Sequence, residues 1–545
     1  MSASKFDYDV ITVGAGFSGL SLIHHVRQAG LSIRVFDKAS DIGGTWAWNR
    51  YPGAATDSES YVYCLTFSEE LLQEWRWSER YPGWEETLSY FQFVADKFDM
   101  RRDIQLETEI VSASYQDDEG GWLLKTAAGD AYTCKYFISA MGLMSKPIIP
   151  EFKGAESFSG PMFHSSHWPK EGLEYAGKKV GIIGAGATAV QMLPVMAKTA
   201  ASVTIFQRTP NFVLPAVQKE ISKAWEKEIK TNYPAILAKC RGHVFGLPYD
   251  SPANRTIADT PRAEVERILN EHWPRGSFSF FFETFDDLRT NPDSNQVVVD
   301  FLAEKIREKV GDPELAELLI PQGYPLFGKR PPLDHGYYES FNRDNVHLVD
   351  IKNREPIVEI TPTGIRTSER DLEFDIIVLA TGFHAYTGAL EAFEIRGANG
   401  TTLSDKWVEE SGSILGTFVA GFPNMFMVTG PHAPFANLPP VIEQSVEYIA
   451  ECISTMEAGG HDVFRPSQTA EDAWVQHSTE VHSYTVMNEA AKTSSWLMGS
   501  NIAGKKPRVL AYVGGANVFF DSLENSSQAG FPEVEFAKLD TSLTN

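Results

Sequence analysis

Two glycine runs carry the first chemistry legible in this chain. Gly14, Gly16 and Gly19 form GxGxxG immediately after a short apolar run at residues 10 to 13. One glycine permits the tight turn, one lets the backbone approach a pyrophosphate, and one lets helix and strand pack closely. The helix that follows points its free N–H groups at the phosphates. A second apolar run ends in Asp37, 23 residues beyond Gly14, where a carboxylate can accept hydrogen bonds from a ribose hydroxyl. The second run repeats the pattern with Gly184, Gly186, Thr188 and Ala189, the small alanine still allowing close helix packing. At the matching offset stands Gln207, followed by Arg208 and Thr209, so the carboxylate is absent. A carboxylate would repel a ribose 2'-phosphate, whereas arginine binds it through charge-assisted hydrogen bonds. The first site therefore reads as FAD and the second as NADPH. Such a pair passes hydride from nicotinamide to flavin, the cofactors carrying the chemistry. Disulfide reduction would need a cysteine pair, and Cys64, Cys134, Cys240 and Cys452 lie far apart, which leaves dioxygen as the acceptor.

Positioning these residues requires more than one core, because 545 residues exceed what a single core supports. The net charge of −24 argues against binding nucleic acid or an anionic membrane surface. No run of 18 or more apolar residues occurs, no metal-ligand spacing is legible, and the N-terminus lacks a signal-peptide pattern. A soluble, cytoplasmic protein is expected, with no nucleic acid, membrane or metal partner.

Between the glycine runs lies FSGPMFHSSHWP, residues 158 to 169, too polar for a core strand and too aromatic for an ordinary linker. Phe158, Gly160, His164, Trp168 and Pro169 match FxGxxxHxxxWP. This resembles the fingerprint of Baeyer-Villiger monooxygenases of the single-component flavin type. Related N-oxygenating flavin monooxygenases end the motif differently. GGTWAWNRYPG, TDSES, DIIVLATGF and SWLMGSNIAGK extend the resemblance over nearly the whole chain.

The resemblance implies a reaction, cofactors and roles. One atom of O2 enters beside a ketone carbonyl, giving an ester or lactone, after NADPH reduces FAD and the flavin forms a C4a-peroxide. Arg330 aligns with the family's active-site arginine and Asp57 with its paired aspartate. Lys329 resembles the lysine that joins Arg208 on the 2'-phosphate. Gly44, Thr45, Trp46 and Trp48 resemble the run packed on FAD, with Tyr63 and Ile110 as further contacts. Trp496 matches a tryptophan on a loop that folds over NADP and substrate. His164, in a segment joining the two nucleotide domains, holds their mutual geometry instead of attacking substrate. Ala55 and Thr56 depart from the charged or polar pairs common before that aspartate, which bears on NADP contacts.

The expected fold is α/β, with two Rossmann-like dinucleotide-binding domains and a mainly helical insertion. Residues 1–145 and 383–545 are assigned to FAD, 149–215 and 326–382 to NADP, and 216–325 to the insertion. There Ile221, Trp225 and Ile229, and Val298, Leu302, Ile306 and Val310, recur at helical spacing. The cleft between domains is the natural place for flavin and substrate. Two other readings stand beside the ketone reading: an N-hydroxylating or sulfoxidising flavin monooxygenase, and an NADPH-binding redox sensor. GPHAPFANLPP is apolar enough to suit a hydrophobic ketone.

Overall fold

The computed structural model describes residues 5–493, 495–502 and 504–539. Two open sheets are each built around a strand that feeds a glycine loop. In the first, an eight-stranded sheet, Tyr8–Val13 lies parallel to Ile33–Phe36 on one side and Ala131–Ser139 on the other. Parallel strands covered on both faces must be apolar throughout, and Val10, Ile11, Val35 and Phe36 are fully buried. Ala131–Ser139 continues antiparallel into Gly121–Thr126, which pairs with Ile110–Gln116. Glu394–Arg396 and Met425–Met427 return from far along the chain to join this sheet.

The second sheet has five strands, all parallel, in the order Val346–Asp350, Ser202–Gln207, Lys179–Ile183, Ile376–Leu379, Met162–His164. In both sheets the strand before the glycine loop has neighbours leading away on either side. The carboxyl end of such a strand opens into a crevice, where ligands of this fold class sit.

The stretch at residues 158 to 169 is not a free connector. Met162–His164 forms the edge strand of the second sheet, pairing with Ile376–Leu379, and a 3-10 turn, Ser165–His167, follows. An edge strand buries only one side, which is why a sequence too polar for a central strand still enters the sheet.

Residues 216 to 325 hold the helices Lys223–Gly242, Arg262–His272, Pro292–Lys309 and Pro313–Leu319 with shorter turns, and no strand among the described residues. Val298, Leu302 and Ile306 form the buried stripe of Pro292–Lys309. Ile221 falls outside its expected helix, because Ser222 caps the helix by accepting the Trp225 N–H. At the base of the insertion Leu214–Pro215 pairs with Leu333–Asp334. Its core is aromatic, with Phe245, Phe278, Phe280, Phe281, Phe282 and Phe327 in one cluster.

Candidate active site

The first glycine loop is built around contacts that no side chain would survive. Gly14 adopts φ +115°, and a Cβ there would lie 2.3 Å from the Ala140 carbonyl oxygen. A Cβ on Gly19 would lie 2.1 Å from the Gly14 carbonyl, so helix Phe17–Gln28 reaches the strand because residue 19 is bare. The GGTW turn closes on the same loop: the Gly43 N–H donates to Ala15 O at 3.0 Å, and Gly44 faces Gly16 backbone to backbone. Asp37 accepts the Ala15 and Ala39 N–H groups, each at 2.8 Å. Burial raises its pKa, and those two donors pull it back. Asp37 thus braces the loop from within, each carboxylate oxygen keeping a further lone pair with which it can accept from a hydroxyl.

Aromatic side chains wall this crevice. The rings of Phe17 and Tyr63 meet edge to face at 5.2 Å, as do Trp46 and Tyr63 at 5.9 Å. Burial raises the Tyr63 phenol to about 12, so it stays protonated and able to donate. Trp46 is buried, Thr45 exposed and Trp48 half-buried. Trp48 lies between the ammonium groups of Lys38 and Lys170, 5.8 and 6.0 Å from its ring. The Ile110 side chain is buried in the apolar cluster beneath the sheet. Only the neighbouring backbone approaches Asp37, through the Thr108 N–H donating to Asp37 O at 2.9 Å.

The second loop repeats the geometry with one difference. Gly184, at φ +128°, leaves no room for a Cβ, which would lie 2.2 Å from Ala380 O. A Cβ on Gly186 would meet nothing within 4 Å, so this side of the loop faces open space. Ala189 is fully buried and fits where the first loop has glycine, while Thr188 is half-buried in the first turn of helix Ala187–Met196. Gln207 turns inward, its amide donating to Leu318 O at 2.7 Å. Arg208 is exposed and Thr209 half-buried beside it. Burial, then the nearby charges of Arg208 and Lys352, lower Lys329 to about 8. The three cations form no ion pair with any carboxylate among the described residues, and Lys329 lies 5.5 Å from the Tyr324 ring centre. Unpaired cations gathered at a strand end are a site for an anion. Lys352 was not legible in the sequence, because only the fold brings the end of Val346–Asp350 beside Ser202–Gln207.

Asp57 and Arg330 meet at 2.7 Å, the aspartate side chain 5% and the arginine 30% exposed. The pair is flanked by two buried links. On one side Tyr51 Oη donates to Gln191 Oε1 at 2.7 Å, and Gln191 Nε2 donates to Ala55 O at 2.9 Å. On the other side Glu59, fully buried, pairs with Arg80 at 2.8 Å and accepts the Tyr249 hydroxyl at 2.9 Å. His335 is half-buried nearby, its pKa lowered by desolvation and partly restored by the charge of Asp57. Sequence reading missed Glu59, Tyr51 and His335. Glu59 stands in the same TDSES segment as Asp57, yet its partner Tyr249 is 190 residues away.

Within the fingerprint, His164 Nδ1 accepts the Ser166 N–H at 3.2 Å, so the proton resides on Nε2, which donates to Gly382 O at 3.1 Å. Burial lowers its pKa to about 4, so the ring is neutral near pH 7. The same Gly382 carbonyl accepts the Ile148 N–H at 2.9 Å, where two chain segments cross between the sheets. A Cβ on Gly160 would lie 2.2 Å from Asp375 O, and Trp168 is buried with its ring 5.3 Å from Phe163. Phe158 and Pro169 are half-buried beside them.

Comparison with known proteins decides the family. Residues 8–246 match the flavin-binding monooxygenase-like family. A Baeyer-Villiger monooxygenase of Pseudooceanicola batsensis is 40% identical over 97% of this chain and 96% of its own. A phenazine N-monooxygenase of Lysobacter antibioticus is 39% identical over 97% of this chain and 96% of its own. The crystal structure of cyclohexanone monooxygenase from Rhodococcus sp. bound to NADP+ superposes with TM-score 0.94 at 37% identity, covering 97% of this chain and 99% of that one. The chain belongs to the Baeyer-Villiger monooxygenases. In this monooxygenase Tyr51 and Gln191 link the segment of Asp57 to the helix of the second glycine loop, and Tyr63 packs against Trp46 and against Phe17 of the first. Trp496 is half-buried, stacked 6.3 Å from Tyr386 and edge-on to Phe435 at 5.5 Å, so its turn lies docked on an apolar wall. No helix among the described residues is long and apolar enough to cross a membrane.

Proposed function

We propose that this monooxygenase inserts one atom of O2 beside the carbonyl of a ketone, using FAD and NADPH, and releases an ester or lactone. The observation carrying the reading is the Asp57–Arg330 pair, a buried aspartate holding a half-buried arginine, within a chain of this family. Bound FAD and NADPH supply the electrons and the activated oxygen. The residues fit them: Gly186 offers bare backbone to a pyrophosphate, and Arg208, Lys329 and Lys352 offer unpaired positive charge to a 2'-phosphate. At the first loop, Gly14, Gly16, Gly19, Asp37, Gly44, Thr45, Trp46, Trp48 and Tyr63 take FAD. Ile110 contributes there through backbone position. Gly184, Thr188, Ala189 and Thr209 complete the NADP cleft, and Trp496 covers it.

Arg330 holds a fixed positive charge toward the reacting oxygen, where negative charge develops as the carbonyl is attacked. Asp57 keeps that guanidinium in one orientation. His164 stays neutral and ties the edge strand to the crossing at Gly382, so it positions the domains and moves no proton in the reaction. The chain divides, in this proposal, into residues 1–145 and 383–545 for FAD, 149–215 and 326–382 for NADP, and 216–325 as the insertion. Residence in the cytoplasm is supported by four cysteines that are all buried and free.

The test is mass analysis of products after the FAD-loaded protein meets NADPH, O2 and a panel of small, long-chain and polycyclic ketones. A product one oxygen heavier, which hydrolyses to a hydroxy acid or to an acid and an alcohol, supports the reading. A heteroaromatic amine is run beside them, because an N-monooxygenase stands almost as near in sequence. Oxygen on nitrogen with every ketone unchanged would replace the proposal.

A further inference from the structure

Arg289, a half-buried arginine, makes no ion pair or hydrogen bond among the described residues and lines a cavity. Arg289 closes the short turn Asp286–Arg289 of the helical insertion. Among the described residues no carboxylate lies within ion-pair distance of it, and it donates to no hydrogen-bond acceptor. The nearest opposite charge, Asp286, points to solvent and acts only at longer range. The guanidinium instead borders a cavity walled by Phe245, Phe281, Phe282, Phe327, Phe435 and Met487. A cation partly withdrawn from water beside phenyl rings, with no counter-ion, gains when an anion binds it.

The cavity adjoins the reaction site. Phe327 stands three residues before Arg330, so their Cα atoms lie within about 11 Å even if the chain is fully extended. Phe435 touches Trp496 at the opposite wall. Its empty space, mouth included, is about 450 Å³, of which about 30 Å³ is open to the centre of a water molecule. A guest therefore enters by displacing adaptable side chains, of which Met487 is the most easily moved.

We infer that Arg289 is a specificity residue that anchors a carboxylate on the substrate, so that the preferred ketone is an oxo acid with an apolar chain between carbonyl and carboxylate. The inference rests on the oxygen-insertion reading above. A guanidinium fork matches a carboxylate in two parallel hydrogen bonds. One negative charge neutralises the single cation, whereas a phosphate dianion would bring a second charge into apolar walls. The phenyl rings suit methylene groups.

The decisive comparison uses a medium-chain oxo acid against its own methyl ester, in wild-type protein and in Arg289→Met and Arg289→Lys. Wild type is expected to favour the acid by about ten- to a hundredfold in kcat/KM, the worth of a charged hydrogen bond. Arg289→Met should lose that preference, keep its activity on the ester, and melt no lower than wild type, because it removes an unpaired, half-buried charge from an apolar wall. Arg289→Lys should restore part of the preference. Equal use of acid and ester by wild type would overturn the inference, as would Arg289→Met losing both substrates together or melting well below wild type. Calorimetry with the matching saturated carboxylate, which has no carbonyl to oxidise, separates this inference from the reaction itself. Binding by wild type and not by Arg289→Met supports the anchor even if no ketone is converted. Equal binding by both proteins, or none by either, overturns it.

Discussion

Replacing Lys329 by Met tests whether the second cleft is built for a 2'-phosphate. In the free protein, burial and the charges of Arg208 and Lys352 hold the ammonium near 8 instead of its ordinary 10.5. The lysine is then roughly nine-tenths charged at pH 7 and one-tenth charged at pH 9. A phosphate bound against it restores the charge, so NADPH binding takes up a proton above about pH 8. Affinity should fall about tenfold between about pH 7 and about pH 9, equivalent to about 1.4 kcal/mol. NADH lacks the phosphate and should show no such fall. Stability without cofactor runs the other way. The folded pKa is below the unfolded one, so the unfolded chain holds more protons between about 8 and 10.5, and stability rises with pH across that window. At about 1.4 kcal/mol per pH unit the ceiling is about 3 kcal/mol. Lys329→Met should therefore bind NADPH more weakly, flatten its pH dependence, leave NADH unchanged, and unfold at a higher temperature than wild type near pH 7. The assay is the KM for each nicotinamide across the pH range, with thermal melts alongside. A flat NADPH profile in wild type, or an equal rise for NADH, would refute the assignment.

Three further outcomes are expected. Asp57→Ala leaves Arg330 without its 2.7 Å partner, so ester formation should drop by about a hundredfold while NADPH consumption falls less, the difference appearing as hydrogen peroxide. Gly184→Ala should fail to fold, since its Cβ would strike Ala380 O, whereas Gly186→Ala should fold normally and weaken NADPH, as read by melts and by KM. His164, His243, His432 and His482 are each lowered to about 4 by burial. Each binds protons better in the unfolded chain, so stability should decline as pH drops from about 6.5 toward 4, and replacing His164 by Gln should soften that decline, as followed by chemical denaturation.

Local signals explain why the glycine loops and Asp37 were legible. A tight turn, a bare helix face and a strand-end acid all fall within about 25 residues, and each demands a particular residue type. The missing acid at Gln207 worked the same way, as a local exclusion. Residues that depend on chain-distant partners left no such trace. Lys352 joins the basic cluster because Val346–Asp350 pairs with Ser202–Gln207, a pairing that spacing does not announce. Glu59 looks like any acid in TDSES until Tyr249 and Arg80 close around it. The fingerprint stretch misled in its secondary structure for a related reason, since an edge strand relaxes the apolar pattern by which buried strands are recognised. The side chain of Ile110 lies in the core cluster, as alternation along a strand dictates, so any cofactor contact at that position belongs to the backbone.

The placement of the reacting pair follows from where these distant links fall. Asp57 belongs to the segment after the first sheet's GGTW turn, and Arg330 to the loop that re-enters the second sheet below the insertion. Their 2.7 Å contact therefore spans a joint. Such a contact keeps its geometry only if the joint is pinned on both sides. Tyr51 and Gln191 pin it to the helix of the second glycine loop, and Glu59 and Tyr249 pin it to the insertion. Neither pin touches the opposite crossing, where His164 and Ile148 share the Gly382 carbonyl. That crossing is tied by several bonds of its own, since Thr381 Oγ1 also donates to Ile148 O and the His384 N–H to Lys146 O. The orientation of the charge that Arg330 presents is therefore fixed by links on both sides of the joint.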